Sequence, residues 1–103
     1  METVNALLTV RYAPIVSSNP TSQSVTHGQS VSFTAAATGN PNVSVQWQVS
    51  TDGGNTFTNI AGAINTVLNI SSTTTGQNGY LYRAVFTNSL GSATTTAAQL
   101  TVV

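Results

Sequence analysis

Five side chains in this sequence carry or exchange charge near neutral pH: Glu2, Arg11, His27, Asp52 and Arg83. Any acid–base catalysis, metal ligation or ion recognition would have to be built from them. Hydrolysis by paired carboxylates needs two acids across one bond, and Glu2 and Asp52 are the only acids. Asp52 lies in the turn sequence Asp52-Gly53-Gly54-Asn55. A triad built on His27 lacks a third member, and His27-Gly28 reads as a solvated turn. A multi-carboxylate calcium site lacks ligands; Asp52 could offer a cation one carboxylate beside backbone carbonyls. The chain has no cysteine, which excludes thiol catalysis, thiolate metal sites and disulfides. No catalytic residue, metal or cofactor is expected.

One motif stands out. Ser50-Thr51-Asp52-Gly53-Gly54-Asn55-Thr56-Phe57 fits S-x-D-x-G-x-T-[W/F]. It resembles the Asp-box of sialidases and other secreted proteins, a hairpin whose Asp caps its own turn away from the catalytic centre. The resemblance implies a structural role for Asp52. Sialidase chemistry would need an arginine cluster, and only Arg11 and Arg83 are present.

These residues must be positioned by a single domain, since the chain has 103 residues. Hydrophobic residues make up 40% of it, enough for a core, whereas charged residues make up 4% against about 25% in ordinary globular proteins. Zero net charge leaves no basic footprint for nucleic acid. No apolar run approaches the roughly 18 residues of a membrane span, so no membrane insertion is expected. The N-terminus lacks a signal peptide's basic and apolar segments, and Met1 reads as the start of an excised piece. Polarity supplied by Ser, Thr, Asn and Gln suits a secreted or surface-displayed β protein.

Short alternating runs separated by turn residues predict an all-β sandwich. Pro14 and Pro20 restrict any strand there to an edge. Gln23–Thr26 is short and extended, ending at His27-Gly28. Val31, Phe33, Ala35 and Ala37 alternate along one predicted strand, closed by Gly39–Asn42. Val43, Val45, Trp47 and Val49 form the clearest one. After the Asp52 turn, Thr56–Ile60 is expected to return antiparallel. Leu68 and Ile70 mark another strand; Tyr80, Tyr82, Ala84 and Phe86 mark the next. Asn88–Gly91 turns into a last strand with Ala98, Leu100 and Val102.

Together these pieces resemble the immunoglobulin superfamily, most closely cysteine-free bacterial Ig-like domains related to the I-set, over about residues 14–103. Gly28–Phe33 resembles the start of the second strand, Val45-Gln46-Trp47-Gln48 the strand with the core Trp, and Leu68-Asn69-Ile70 a later strand. Gly79–Val85 followed by Thr87–Gly91 resembles the penultimate strand and its turn. The resemblance implies a Greek-key β-sandwich of two antiparallel sheets with seven or more strands. Two family cysteines would fall at Ala35 and Ala84, so the bridge is absent and both methyls must pack against Trp47. A bridge closing roughly 50 residues would contribute about 4 kcal/mol. Asn78 stands where the family usually has Asp. Tyr82 takes the tyrosine-corner position, which implies a hydroxyl bonded to upstream backbone.

Residues 3–10 (TVNALLTV) resemble residues 95–102 (TTAAQLTV) at an offset of 92, about one Ig-like unit. Residues 1–12 are therefore expected to be the last strand of a preceding repeat plus linker, and residues 13–103 the Ig-like domain. Val4, Ala6, Leu8 and Val10 alternate and, without their own sheet, could mediate self-association by strand addition. The first functional reading is a non-catalytic spacer module in a large secreted or cell-surface bacterial protein, with neighbouring Ig-like repeats as partners. The alternatives are an adhesion module binding a glycan or protein, and a virion or filament accessory domain. Binding would use the loops Gly39–Asn42, Thr51–Asn55 and Asn88–Gly91, with Tyr12, Phe57 and Tyr80 as candidate stacking aromatics. Arg83 is expected to face outward and cover an aromatic neighbour.

Overall fold

The computed structural model describes residues 10–103. Ten strands follow in order: β1 (Tyr12–Ser18), β2 (Gln23–Val25), β3 (Val31–Thr34), β4 (Ala36–Asn40), β5 (Ser44–Ser50), β6 (Thr58–Asn59), β7 (Val67–Ile70), β8 (Leu81–Asn88), β9 (Gly91–Thr94) and β10 (Ala98–Val102). A 3-10 turn, Thr75–Gln77, precedes β8. The larger sheet runs β2-β10-β8-β5-β6, with β9 also pairing β8. On the opposite face β1 pairs β4 and β3 pairs β7, both antiparallel. β2 pairs β10 in parallel, so the first segment of the chain contributes to both faces. This is the expected all-β sandwich.

The two-residue period sets the core. Val31, Phe33 and Ala35 come from one face and Trp47, Tyr82, Ala84, Phe86, Ala98, Leu100 and Val102 from the other, joined by Leu68. Phe33 and Tyr82 stack across the interface with ring centroids 5.1 Å apart, worth roughly 0.5–1.5 kcal/mol beyond area burial. Trp47 is wholly buried, and its indole Nε1–H donates to the Asn65 carbonyl at 2.7 Å. A buried ring with a polar edge needs such a partner, and the segment between β6 and β7 supplies it.

Two expected strands differ in the structure. The stretch from Val31 to Ala37 is two strands that divide at Ala35, whose N–H donates to the Thr66 carbonyl at 3.0 Å in continuation of the β3–β7 register. β3 then stays with β7 while β4 turns to β1. The return after the Asp52 turn is only Thr58–Asn59, paired with Val49 and Gln48.

Registers orient the molecule. Ser44 opposes Thr87 and Ser50 opposes Leu81, while Tyr12 opposes Asn40. The chain therefore enters at the end carrying Gly39–Asn42 and Asn88–Gly91, called the upstream end here. Val102 opposes Val25, and the Val103 carbonyl accepts from the His27 N–H at 2.9 Å. Residue 103 thus leaves from the opposite, downstream end.

Candidate functional site

The Asp52 turn is built by its own residues. Gly53 and Gly54 have φ of 76° and 97°, a region that side chains with a Cβ rarely adopt. The carboxylate accepts from Thr56 Oγ1 at 2.6 Å, from the Thr56 N–H at 3.0 Å and from Ser50 Oγ at 2.7 Å. Ser50, itself wholly buried, accepts the Gly54 N–H at 2.8 Å. Hydrogen bonding from the Thr56 side chain, then from the Thr56 backbone and Ser50, holds the Asp52 carboxyl down from 3.8 to about 2. The carboxylate is committed to its turn at both oxygens. Among the described residues no group of three or more His, Cys, Asp or Glu side chains could hold a metal ion.

Beside this turn runs a polar ladder over the outer face of the larger sheet. Asn59 Oδ1 accepts from Gln48 Nε2 at 3.0 Å, and Gln48 Oε1 accepts from Arg83 Nε at 2.8 Å. The Arg83 guanidinium carbon lies 3.8 Å from the Phe57 ring centroid, a cation–π contact worth roughly 0.5–1 kcal/mol at such a site. One face of Phe57 is occupied, so Arg83 and Phe57 complete each other. Arg83 does face out over an aromatic neighbour.

The three loops do not converge. Gly39–Asn42 and Asn88–Gly91 share the upstream end, whereas Thr51–Asn55 follows Ser50 at the downstream end. The candidate stacking aromatics are also separate. Tyr12 is at the upstream end, Phe57 is under Arg83, and Tyr80 lines an apolar crevice with Val49, Ile60, Leu68, Ile70 and Tyr82. No shared aromatic platform arises from them. His27 lines a shallow depression at the downstream end with Gly28 and Thr73–Thr75.

At the upstream end the loops clasp the incoming chain. Asn88 Nδ2 donates to the carbonyls of Tyr12 at 2.9 Å and Pro41 at 3.0 Å, and its Oδ1 accepts the Leu90 N–H at 2.9 Å. Asn40 Nδ2 donates to the Val10 carbonyl at 3.0 Å. The fit requires Gly39, where an added Cβ would lie 2.6 Å from Val43 Cγ1 and 3.1 Å from Asn88 Nδ2. Around the clasp Val10, Tyr12 and Leu90 are exposed at 65%, 37% and 48%.

Ala35 and Ala84 are both wholly buried in the core cluster with Trp47. Asn78 keeps a contact without an ion: its Oδ1 accepts the Val102 N–H at 2.9 Å. The Tyr82 expectation needs correction. Among the described residues its hydroxyl donates no hydrogen bond to backbone. The ring leans on Phe33 and its edge reaches the crevice beside Tyr80. Burial, then the nearby Tyr80, pushes its hydroxyl from 10.0 up to about 12. Val10 is exposed; Val4, Ala6 and Leu8, with Glu2, lie outside the described residues.

Two buried threonines were not singled out by sequence reasoning. Thr95 Oγ1 accepts the Ala84 N–H at 3.0 Å and donates to the Thr96 carbonyl at 2.9 Å. Thr73 Oγ1 donates to the Gln29 carbonyl at 2.7 Å. Their neighbours are distant in sequence, and threonine is common throughout the chain.

With this geometry established, the sequence matches the immunoglobulin I-set domain over residues 14–102. The chain belongs to the I-set family. The I-set domain is 40% identical over 90 residues to endoglucanase C of Cellulomonas fimi; the match spans 87% of this chain and 8% of that protein. Its backbone superposes on titin M4 with a TM-score of 0.71 at 24% identity, covering 92% of this chain and all of that one. A Dlar structure of tandem Ig repeats gives a TM-score of 0.68 at 26% identity, covering 87% of this chain and 48% of that one. Among the described residues no helix is long and apolar enough to cross a membrane.

Proposed function

We propose that this I-set domain is a non-catalytic spacer module within a larger secreted or cell-surface bacterial protein. The observation that carries the reading is that the chain enters at one end of the sandwich and leaves at the other. A module threaded in this way sets the distance between whatever precedes and follows it. The match to one short stretch of a bacterial endoglucanase supports the same reading, because an 8% share is the size of an accessory unit. The dispersal of Arg11, His27, Asp52 and Arg83, and the commitment of Asp52 to its turn, support a role without catalysis.

The test is retention of the full chain on insoluble cellulose together with amide shifts on addition of soluble β-glucans, xylan and mannan. The expected result is no retention and an unchanged spectrum. Saturable shifts confined to Gly39–Asn42 and Asn88–Gly91 would instead establish the adhesion reading and overturn the spacer.

A further inference from the structure

We propose that the Asn78–Gly79 peptide is a site of spontaneous deamidation gated by the fold. It stays an amide while β10 holds it, and converts to aspartate or isoaspartate when that end of the sandwich opens. The inference stands apart from the spacer reading and holds whatever the module does.

An asparagine followed by glycine is prone to this reaction because glycine has no Cβ to obstruct the approach of its own nitrogen. Of the chain's asparagines, Asn78 alone precedes a glycine. The Gly79 nitrogen, after losing its proton to base, attacks the Asn78 side-chain carbon Cγ. The new N–Cγ bond closes a succinimide ring as the Cγ–Nδ2 bond breaks, and Nδ2 leaves as ammonia. Water then opens the ring at either carbonyl. One opening gives aspartate; the other gives isoaspartate, in which the chain runs through the side-chain carbon. Only water and base are consumed, and Asn78 is exposed to both.

The fold blocks the first step twice. Ring closure needs the Gly79 nitrogen to eclipse the Asn78 Cβ, which requires a negative ψ, whereas Asn78 has φ −60° and ψ 128°. The Gly79 N–H is also engaged, donating to the Leu100 carbonyl at 2.7 Å. The side chain is fixed on the same strand, where Asn78 Oδ1 accepts the Val102 N–H at 2.9 Å. That bond polarises the side-chain carbonyl, so the electrophile is ready and only the nucleophile is withheld.

The restraint is local. The preceding 3-10 turn, Thr75–Gln77, buries no residue, and Thr74, Thr75 and Gly76 are exposed. A segment with so little buried surface opens more readily than the core. Once the contacts to Leu100 and Val102 part, ψ is free to invert and the ring can close. The change is then one-way. Isoaspartate lengthens the backbone at residue 78 by one atom, so the acceptor for Val102 and the donor to Leu100 no longer keep their spacing. The downstream end of β10 loses its hold, and the molecule carries a permanent record of having opened.

The test incubates the full chain in mildly alkaline buffer with and without guanidinium chloride. Conversion is read as the mass gain of an amide-to-acid exchange, placed by digestion and tandem mass spectrometry. Asp52-Gly53 can also form a succinimide, but its water leaves and returns, so the mass gain reports asparagine alone. The gain is expected at Asn78 in denaturant and at least about tenfold slower in the folded chain, which must open locally first. Asn78→Gln should abolish it. Asn78→Asp should fold, keep the Val102 bond and mark the elution of the aspartate product. After refolding, the isoaspartate chains should exchange the Gly79 and Val102 amides faster than the Asn78→Asp variant. Equal rates with and without denaturant would overturn the gate. A first gain at another asparagine would overturn the site. Unchanged protection of Gly79 and Val102 in the isoaspartate chains would overturn the loss of hold on β10.

Discussion

The inter-sheet core and the Asp52 turn are held by different physics. In the core, Trp47, Phe33, Phe86 and Leu100 are buried with small Ala35 and Ala84 between them, and no ion takes part. In the turn, a single exposed carboxylate organises Ser50, Gly54 and Thr56 through short hydrogen bonds. The core depends on volume and is indifferent to acid; the turn depends on one proton. Among the described residues Asp52 is the one carboxylate side chain, so that division places the acid-sensitive contacts in this turn.

Replacing Trp47 with Ala should be the largest disturbance. It removes the central ring and strands the Asn65 carbonyl, and a loss of about 3–5 kcal/mol is expected. Chemical denaturation of this variant should show an unfolded or barely folded chain. If it keeps a near-native midpoint, the core is not centred on Trp47. Ala35→Cys with Ala84→Cys tests whether the methyl pair sits where a bridge would fit. Oxidised, the variant should gain up to about 4 kcal/mol. Reduced, it should fall below the parent by roughly 1–3 kcal/mol, because two sulfurs overfill the site.

Between these regions lies the upstream clasp, which uses neutral hydrogen bonds. Asn88→Ala deprives the carbonyls of Tyr12 and Pro41 and the Leu90 N–H of their partner, and should cost about 1–2 kcal/mol. Hydrogen exchange should accelerate at Leu90 and at the start of β1 while the core amides stay protected. Uniform acceleration would mean that the clasp and the core unfold as one unit.

The smallest effect is expected from pH. Asp52 is held at about 2 in the folded chain against 3.8, so the unfolded chain binds the proton more readily. Its contribution is complete above 3.8 and is lost as pH falls towards 2. Asp52→Asn should flatten this acid arm in a urea titration followed across pH. Tyr82 acts in the opposite sense: raised from 10.0 to about 12, it contributes fully below 10.0 and loses that contribution as pH climbs towards 12. Tyr82→Phe should remove that alkaline arm.

Much of this arrangement was legible in the residues. Alternation alone places Trp47, Tyr82, Ala84 and Phe86 on one buried face, because β-strand side chains repeat every two residues. The Asp52 turn was readable because all its partners lie within a few positions. What escaped depends on partners far along the chain. At Ala35 the chain changes partner strand from β7 to β1, and Thr95 serves Ala84; neither choice is encoded next to the residue that makes it. The Tyr82 hydroxyl shows the same limit. Its position in the motif implies a backbone bond, but the stack on Phe33 and the crevice beside Tyr80 decide where the ring lies.

The parallel pairing of β2 with β10 has a mechanical consequence. Tension along the polypeptide would draw β2 towards the upstream end and β10 towards the downstream end. The rungs joining Gln23, Ser24 and Val25 to Leu100, Thr101 and Val102 then slide against one another and are strained together. An antiparallel hairpin pulled from its open end gives way one rung at a time. This short parallel patch would resist as a unit, so the same few bonds that close the sandwich also set the force it withstands.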